Sequence, residues 1–115
     1  MHFMRRLISL GATALVLTLA GCATAQKGSM LSVYSDIKKE HFNAALAELS
    51  SAEGYVKPTP QLQAEISYLR GQCYEGLNRQ SEAVGSYKYV ATTFPESSYA
   101  FQAKERLLAL SKMGF

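Results

Sequence analysis

The side chain with the most suggestive setting for chemistry is the thiol of Cys22, which ends the tetrapeptide Leu-Ala-Gly-Cys. A thiol can be alkylated, and small residues just before it fit the cut site of a signal peptidase. Two arginines and an apolar run from Leu7 to Ala20 precede this site. A basic start, an apolar segment and a small-residue site predict a secretory signal peptide over residues 1–21, cleaved after Gly21.

The tetrapeptide ending in Cys22 resembles the lipobox of bacterial lipoproteins. The resemblance implies a diacylglycerol on the Cys22 thiol, cleavage between Gly21 and Cys22, and a fatty acyl chain such as palmitate on the new amine. Ala23 follows instead of the aspartate that would resemble an inner-membrane retention signal, so the resemblance implies the periplasm-facing outer membrane rather than the inner membrane. A freely secreted protein with a chance cysteine is the main alternative. A transmembrane helix needs roughly 20 apolar residues, and this run is shorter.

Removal of the signal peptide changes the composition of the chain. Residues 22–115 are predicted to form one small domain. Two of the 12 basic residues are lost with the signal peptide, and because all 9 acidic residues remain, the net charge falls to about +1. The remaining basic residues alternate with acids, so no patch for nucleic acid is predicted. Cys73 lies in a helical apolar pattern, which favours a buried thiol over the alternative of an intermolecular disulfide.

The sequence contains few other groups that could do chemistry. His41 is the one histidine after the signal peptide, and its place at the start of a predicted helix favours a solvated residue. We find no paired metal ligands, glycine-rich phosphate loop or nucleophile motif. The sequence therefore predicts no enzyme, no metal, no small-molecule substrate, and no cofactor other than the acyl groups on Cys22.

The elements that carry these residues are predicted to be helices. Residues 22–28 are small and polar and predict a flexible leash, with a first helix beginning near Ser29. Thr59-Pro60 predicts a helix start, Asn78 a left-handed helix end, and Ser97 or Ser98 an N-cap. The expected fold is all-α, an antiparallel helix-turn-helix array of about five helices. The later helices are expected at 41–53, ending before Gly54, and at 60–77, 80–93 and 99–112.

Five residues in the middle of the chain suggest a repeat. Gly71, Tyr74, Ala83, Tyr87 and Pro95 are separated by 3, 9, 4 and 8 residues. This spacing resembles the tetratricopeptide repeat (TPR), a helix-turn-helix of about 34 residues. The resemblance implies that Gly71 permits a close helix approach opposite Ala83, that Tyr74 and Tyr87 fill the wedge between helix pairs, and that Pro95 ends the second helix.

The match to the repeat is incomplete. Ser67 and Arg70 occupy positions where the pattern has larger apolar residues. The resemblance divides the chain into a degenerate TPR-like pair at 29–59, a repeat at 60–95 and a closing helix at 96–115. The last segment begins in a Phe-Pro-Glu-Ser-Ser-Tyr-Ala junction that is similar to one in envelope TPR lipoproteins. An ordinary five-helix bundle with coincidental glycine and alanine positions is the alternative.

The TPR resemblance also implies a site. In a TPR the first helix of each pair lines a concave groove that binds peptides or helices. Tyrosines at such positions suit adaptable recognition. Tyr34 and Tyr68 could equally pack against neighbouring helices. The candidate groove residues are Tyr34, Glu65, Tyr68, Gln72 and Glu75.

These features predict a membrane-anchored scaffold for protein–protein interaction in the bacterial cell envelope, for example in outer-membrane or envelope-complex assembly. Its partners would be envelope proteins or a second copy, and its contact with the membrane would be the lipid on Cys22. The alternative is a structural envelope lipoprotein that self-associates and has no groove ligand. A stack of repeats generally needs three or more units, so one end is expected to be covered.

Overall fold

The computed structural model describes residues 21–115, and within them the chain forms five α-helices and no strand. Helix α3 packs against both α2 and α4, and α5 packs against α4 and α3. The predicted all-α fold, a TPR-like helix-turn-helix array, is confirmed. Residues 1–20 of the predicted signal peptide (1–21) lie outside the described residues. The helices are α1 (21–38), α2 (Phe42–Tyr55), α3 (Pro60–Gly76), α4 (Gln80–Thr93) and α5 (Ser98–Lys112).

Helix α1 begins earlier than the sequence suggested. Residues 21–28 are helical, so the prediction of an irregular leash at 22–28 is wrong for the described structure. The Gln26 amide donates to the carbonyl oxygens of Ala52 and Val56, at 2.9 Å each. These carbonyls belong to the end of α2, where the last turn has no partners within the helix. The first residues of α1 are therefore held by a contact that spacing along the chain does not reveal.

The turns that follow α1 and α3 have the same geometry. Each contains one non-glycine residue in the left-handed region, Glu40 at φ 61° and Asn78 at φ 57°. In both turns its N–H donates to the carbonyl three residues back at 3.0 Å, and the next N–H donates to the carbonyl five residues back. This is the Schellman pattern of helix ends. The left-handed conformation of Asn78 was predicted; that of Glu40 was not.

The equivalence of the two turns extends into α2 and α4. Glu40 and Asn78 are 38 positions apart in the sequence, and three pairs of residues in α2 and α4 that are related by the same offset are completely buried in both helices. The 38-residue offset exceeds the roughly 34 residues of a TPR. The two helix pairs are thus structural repeats of one another. The buried equivalents are Ala45 and Ala83, Leu49 and Tyr87, and Ala52 and Val90.

The predicted N-terminal caps of α3 and α5 are confirmed, and two helix ends are shifted. The Thr59 hydroxyl accepts the N–H of Leu62 at 3.2 Å, with Pro60 as the first helical residue. The Ser97 hydroxyl caps α5 by accepting the N–H of Tyr99 at 3.1 Å. Helix α2 runs through Gly54 to Tyr55 instead of ending before the glycine, and α3 ends at Gly76.

The core lies between the first and second helices of each pair and between successive pairs. Its largest fully buried side chains come from all five helices, which shows that no described helix is merely appended. None of the helices in the described part has the length and apolar character needed to cross a membrane. These core side chains are Val33, Leu49, Ile66, Cys73, Tyr87, Val90 and Leu110.

Candidate binding surface

An apolar cleft separates α1 from α3. Its volume is about 490 Å³, and most of its lining surface is apolar. Leu31 is 73 % exposed and Tyr34 is 45 % exposed, although Met30 beside them is buried. We call this feature the α1–α3 cleft. Its lining residues are Gln26, Lys27, Met30, Leu31, Tyr34, Leu62 and Glu65.

A hydrogen bond between two lining residues of the cleft joins the two helices. The Tyr34 hydroxyl donates to Oε1 of Glu65. Partial burial, then the hydrogen bond to Glu65, raises the pKa of Tyr34, so the phenol stays protonated as a donor. Tyr34 and Glu65, two of the predicted groove residues, are therefore neighbours in the structure.

Tyr68 packs inside the helix array. Only 7 % of it is exposed, and its ring lies 5.6 Å from the rings of both Tyr87 and Tyr99. The Gln72 amide donates to the Tyr68 hydroxyl at 3.2 Å. Tyr68 could have lined the groove or packed against neighbouring helices, and in the structure it packs between α3, α4 and α5. Gln72 remains partly accessible beside it.

Glu75 connects three helices. Arg106 of α5 donates to both of its carboxylate oxygens, at 2.6 and 3.1 Å, and the Tyr87 hydroxyl of α4 donates to Oε2 at 2.5 Å. Burial acts to raise the pKa of Glu75, but the hydrogen bonds from Arg106 and Tyr87 outweigh it and lower the pKa. The carboxylate is thus engaged within the protein, and a ligand would have to compete with Arg106 for it.

The close approach at Gly71 involves a different partner from the one predicted. A β-carbon on Gly71 would lie within 2.7 Å of the Cδ1 and Cζ atoms of Tyr87. The aromatic ring, rather than Ala83, therefore occupies the space beside the glycine. Tyr87 fills the interior of the second pair instead of a wedge between pairs. In the first pair Val33 takes the position of Gly71 and Leu49 that of Tyr87, and both are fully buried. A larger residue on one helix thus accompanies a smaller one on the other, an exchange of volume that protein cores tolerate.

The other two repeat residues lie at the ends of α3 and α4. Tyr74 is partly buried, with the Arg79 guanidinium 4.9 Å from its ring centroid. Pro95 follows α4 in the turn before α5, as the repeat pattern implies. It borders a second depression of about 550 Å³ that also includes Phe94 and Tyr99. This depression is open to solvent at one end of the helix array.

The role of Arg70 was not predicted from the sequence. Its guanidinium donates to both carboxylate oxygens of Glu53 in α2, at 2.6 and 2.9 Å. Gln63 donates to Glu53 Oε1 at 2.9 Å. The hydrogen bond from Arg70 is the main cause that lowers the pKa of Glu53. Arg70, which departs from the TPR pattern, thus joins the second helix pair to the first through an ion pair. In the sequence, only the opposite charges of Arg70 and Glu53 could have suggested this contact.

The remaining candidates for chemistry are separate from one another. Cys22 and Gly21 begin the described part of α1, and Cys73 is buried in α3, as predicted. Burial raises the pKa of Cys73 to about 11. Exposed His41 lies 3.9 Å from Asp36. Among residues 21–115 we find no cluster of three side chains suited to a metal ion.

Comparisons of the chain with protein-family models, with curated proteins and with solved structures gave no match. The TPR and lipoprotein interpretations therefore rest on the residues themselves and on the helix geometry described above.

Proposed function

We propose that this chain is a lipid-anchored, TPR-like module that binds another protein in the bacterial cell envelope, with no catalytic activity of its own. The α1–α3 cleft is the observation that carries the proposal. It exposes Leu31 and Tyr34 beside the buried Met30 and the hydrogen bond between Tyr34 and Glu65. Exposed apolar groups in a concave site are typical of recognition surfaces.

The chemistry of the cleft defines its occupant. The floor is apolar, with Met30 and Leu62, and the rim carries Lys27 and Glu65, one charge of each sign. We infer a partner segment that inserts one or two apolar side chains and presents polar groups to the rim. A volume of about 490 Å³ is sufficient for such anchors. No cofactor or small-molecule substrate is needed for this activity.

The proposed anchor would position the cleft beside the membrane. The Leu-Ala-Gly-Cys tetrapeptide supports lipid on Cys22, and Ala23 supports the outer membrane, facing the periplasm. Since α1 is helical from 21 onward, Met30 lies about 12 Å from Cys22 along the helix axis. A partner in the cleft would therefore be held close to the lipid headgroups, a tighter restriction than a flexible leash would impose.

Site-specific photocrosslinking in cells tests the cleft. A photoreactive phenylalanine replaces Leu31, and a matched control replaces Gly85, an exposed α4 residue at which an added β-carbon would have no atom within 4 Å. We expect an adduct with a second envelope protein at position 31 and none at position 85. Tyr34→Ala should weaken that adduct without changing the circular dichroism spectrum. Adducts containing only this chain would contradict the proposal and favour the self-associating alternative.

Membrane fractionation tests the anchor separately. Cys22→Ser removes the thiol that would carry the diacylglycerol, so the protein should move from the membrane fraction to the soluble or uncleaved fraction. Retention of a cleaved Cys22→Ser chain in the outer membrane would refute the lipid anchor while leaving the cleft proposal open to its own test.

A further inference from the structure

A second groove, between α3 and α4, shares no lining residue with the α1–α3 cleft and differs from it in chemistry. Its volume is about 500 Å³. None of its lining residues is aliphatic, whereas Met30, Leu31 and Leu62 line the cleft. We call this feature the α3–α4 groove. Its lining residues are Gln63, Ser67, Arg70, Tyr74, Glu82, Gly85, Ser86 and Tyr89.

Small residues on both helices leave the α3–α4 groove open. Ser67 takes a position where the TPR pattern has a larger apolar side chain, and Gly85 and Ser86 line the groove from α4. A β-carbon added at Gly85 would have no atom within 4 Å. The space beside Gly85 is therefore free to receive a ligand.

The charged side chains of the groove already have partners of opposite sign. Arg70 donates to both carboxylate oxygens of Glu53, and Glu82 forms an ion pair with Arg79. An ionic ligand would have to compete with one of these pairs, so its charge would gain little here. The groove is therefore suited to an uncharged ligand.

Other hydrogen-bonding groups of the groove have no partner among residues 21–115. Ser67 is only 4 % exposed; its oxygen accepts from the Gln63 amide at 3.4 Å, but its O–H has no acceptor. Two of the five guanidinium N–H groups of Arg70 are used for Glu53, and the others remain. A nearly buried O–H without an acceptor costs free energy that a ligand oxygen would recover. Hydroxyls without a hydrogen bond are also those of Tyr74, Ser86 and Tyr89.

Tyr89 adds an aromatic surface beside these groups. It is 45 % exposed, and a T-shaped contact with Phe94, with ring centroids 5.7 Å apart, fixes the orientation of its ring. The negative face of an aromatic ring attracts C–H groups. A pyranose sugar has C–H groups on its faces, and the hydroxyls around its rim both donate and accept hydrogen bonds. Its chemistry therefore complements both parts of the groove.

We propose that the α3–α4 groove binds a short, uncharged oligosaccharide. One sugar ring packs on Tyr89, and its hydroxyls bond to Ser67 and to the free N–H groups of Arg70. A peptide fits less well, because peptide recognition depends on apolar anchors in apolar pockets, and the groove has no aliphatic residue. Since the wall at Tyr89 is half exposed, we expect a dissociation constant of about 1 mM.

The oligosaccharide site does not rest on the proposed function, because the cleft that would bind a protein has other lining residues. NMR titration of the isotope-labelled full chain, in a detergent without sugar groups, tests it. The neutral probes are chitotetraose, cellotetraose and maltotetraose. We expect at least one to shift the amide signals of Ser67, Gly85 and Ser86. Capped tetraalanine and a sulfated heparin disaccharide, the peptide and ionic comparisons, should not shift them.

Substitutions assign the binding to the groove. Gly85→Leu should abolish it, because the new side chain fills the open space. Ser67→Ala should raise the dissociation constant about two- to tenfold through loss of one hydrogen bond. Tyr89→Ala should also weaken binding, whereas Tyr55→Ala, which removes an equally exposed tyrosine outside the groove, should leave it unchanged. Circular dichroism shows whether each variant is folded.

Three results would overturn the oligosaccharide site. The first is the absence of shifts with all three neutral sugars at about 10 mM. The second is binding of only tetraalanine or the heparin disaccharide. The third is wild-type affinity in folded Gly85→Leu; if that variant misfolds, unchanged affinity in both Ser67→Ala and Tyr89→Ala has the same meaning.

Discussion

Replacing Gly71 with alanine tests the packing that joins α3 to α4. The added β-carbon would lie 2.7 Å from two atoms of the Tyr87 ring, at least 0.7 Å closer than the ordinary contact range that begins at 3.4 Å. The Tyr87 ring has little freedom to move, because the residue is completely buried, its hydroxyl donates a hydrogen bond to Glu75, and the ring packs against Tyr68. Overpacking of this kind costs about 1–3 kcal/mol.

Alanine also has an advantage over glycine within a helix, roughly 0.5–1 kcal/mol. The net effect of Gly71→Ala should therefore be a loss of about 0–2.5 kcal/mol in the free energy of unfolding. Gly85→Ala is the matched control, since Gly85 is inside α4 and a β-carbon there has no atom within 4 Å. It should stabilise the protein by roughly 0.5–1 kcal/mol. Urea unfolding followed by circular dichroism measures both.

A double-mutant cycle identifies the contact. Tyr87→Leu alone should destabilise the protein by leaving a cavity, but the loss caused by Gly71→Ala should be smaller in the Tyr87→Leu background. This combination approaches the Val33 and Leu49 pair of the first repeat. If Gly71→Ala proves as stabilising as Gly85→Ala, the reasoning about the Tyr87 ring is wrong.

Three further predictions concern single residues. Arg106→Met should reduce stability at pH 7 by about 1 kcal/mol. The pKa of Glu75 is lowered in the folded protein, so ionised Glu75 contributes to the free energy of unfolding above its unfolded pKa, and this contribution is lost as the pH falls. The loss of stability in acid should therefore be smaller in Arg106→Met than in the wild type. Urea unfolding at pH 3 to 7 measures the difference. The Cys73 thiol, with a pKa of about 11, should react with iodoacetamide at pH 8 only after denaturation, as measured by mass spectrometry; rapid native labelling would contradict its burial. Asn78→Ala should destabilise by about 1 kcal/mol because of its positive φ, whereas Asn78→Gly should not, as measured by thermal unfolding.

Much of the fold follows from local signals in the sequence. A hydroxyl before Pro60, an asparagine at position 78 and a serine at position 97 each act within one turn of helix, so their effects could be predicted without the rest of the chain. Glu40 shows the limit of such signals. Its side chain gives no reason for a left-handed conformation, yet its φ is 61° and the turn is closed by backbone hydrogen bonds to Ile37 and Asp36.

The candidate surface was less predictable. The groove positions on α1 and α3 include Tyr34 and Glu65, which do meet in the cleft, but Tyr68 on the same stripe is buried between two other rings. Periodicity gives the direction of a side chain on its own helix. It does not give the distance to the next helix, which decides whether an aromatic ring lines a cleft or fills the core.

The sequence by itself determined that this chain is helical, where most helices start and stop, and that Gly71 has a close neighbour; it did not reveal the equally close approach of Phe42 to Gly76. The tertiary structure decided that the neighbour of Gly71 is Tyr87, that Arg70 is paired with Glu53, and that α1 reaches back to residue 21. The physical reason is range: capping and backbone preferences act over a few residues, whereas packing and ion pairs join residues that are distant in the chain and depend on how the helices are placed.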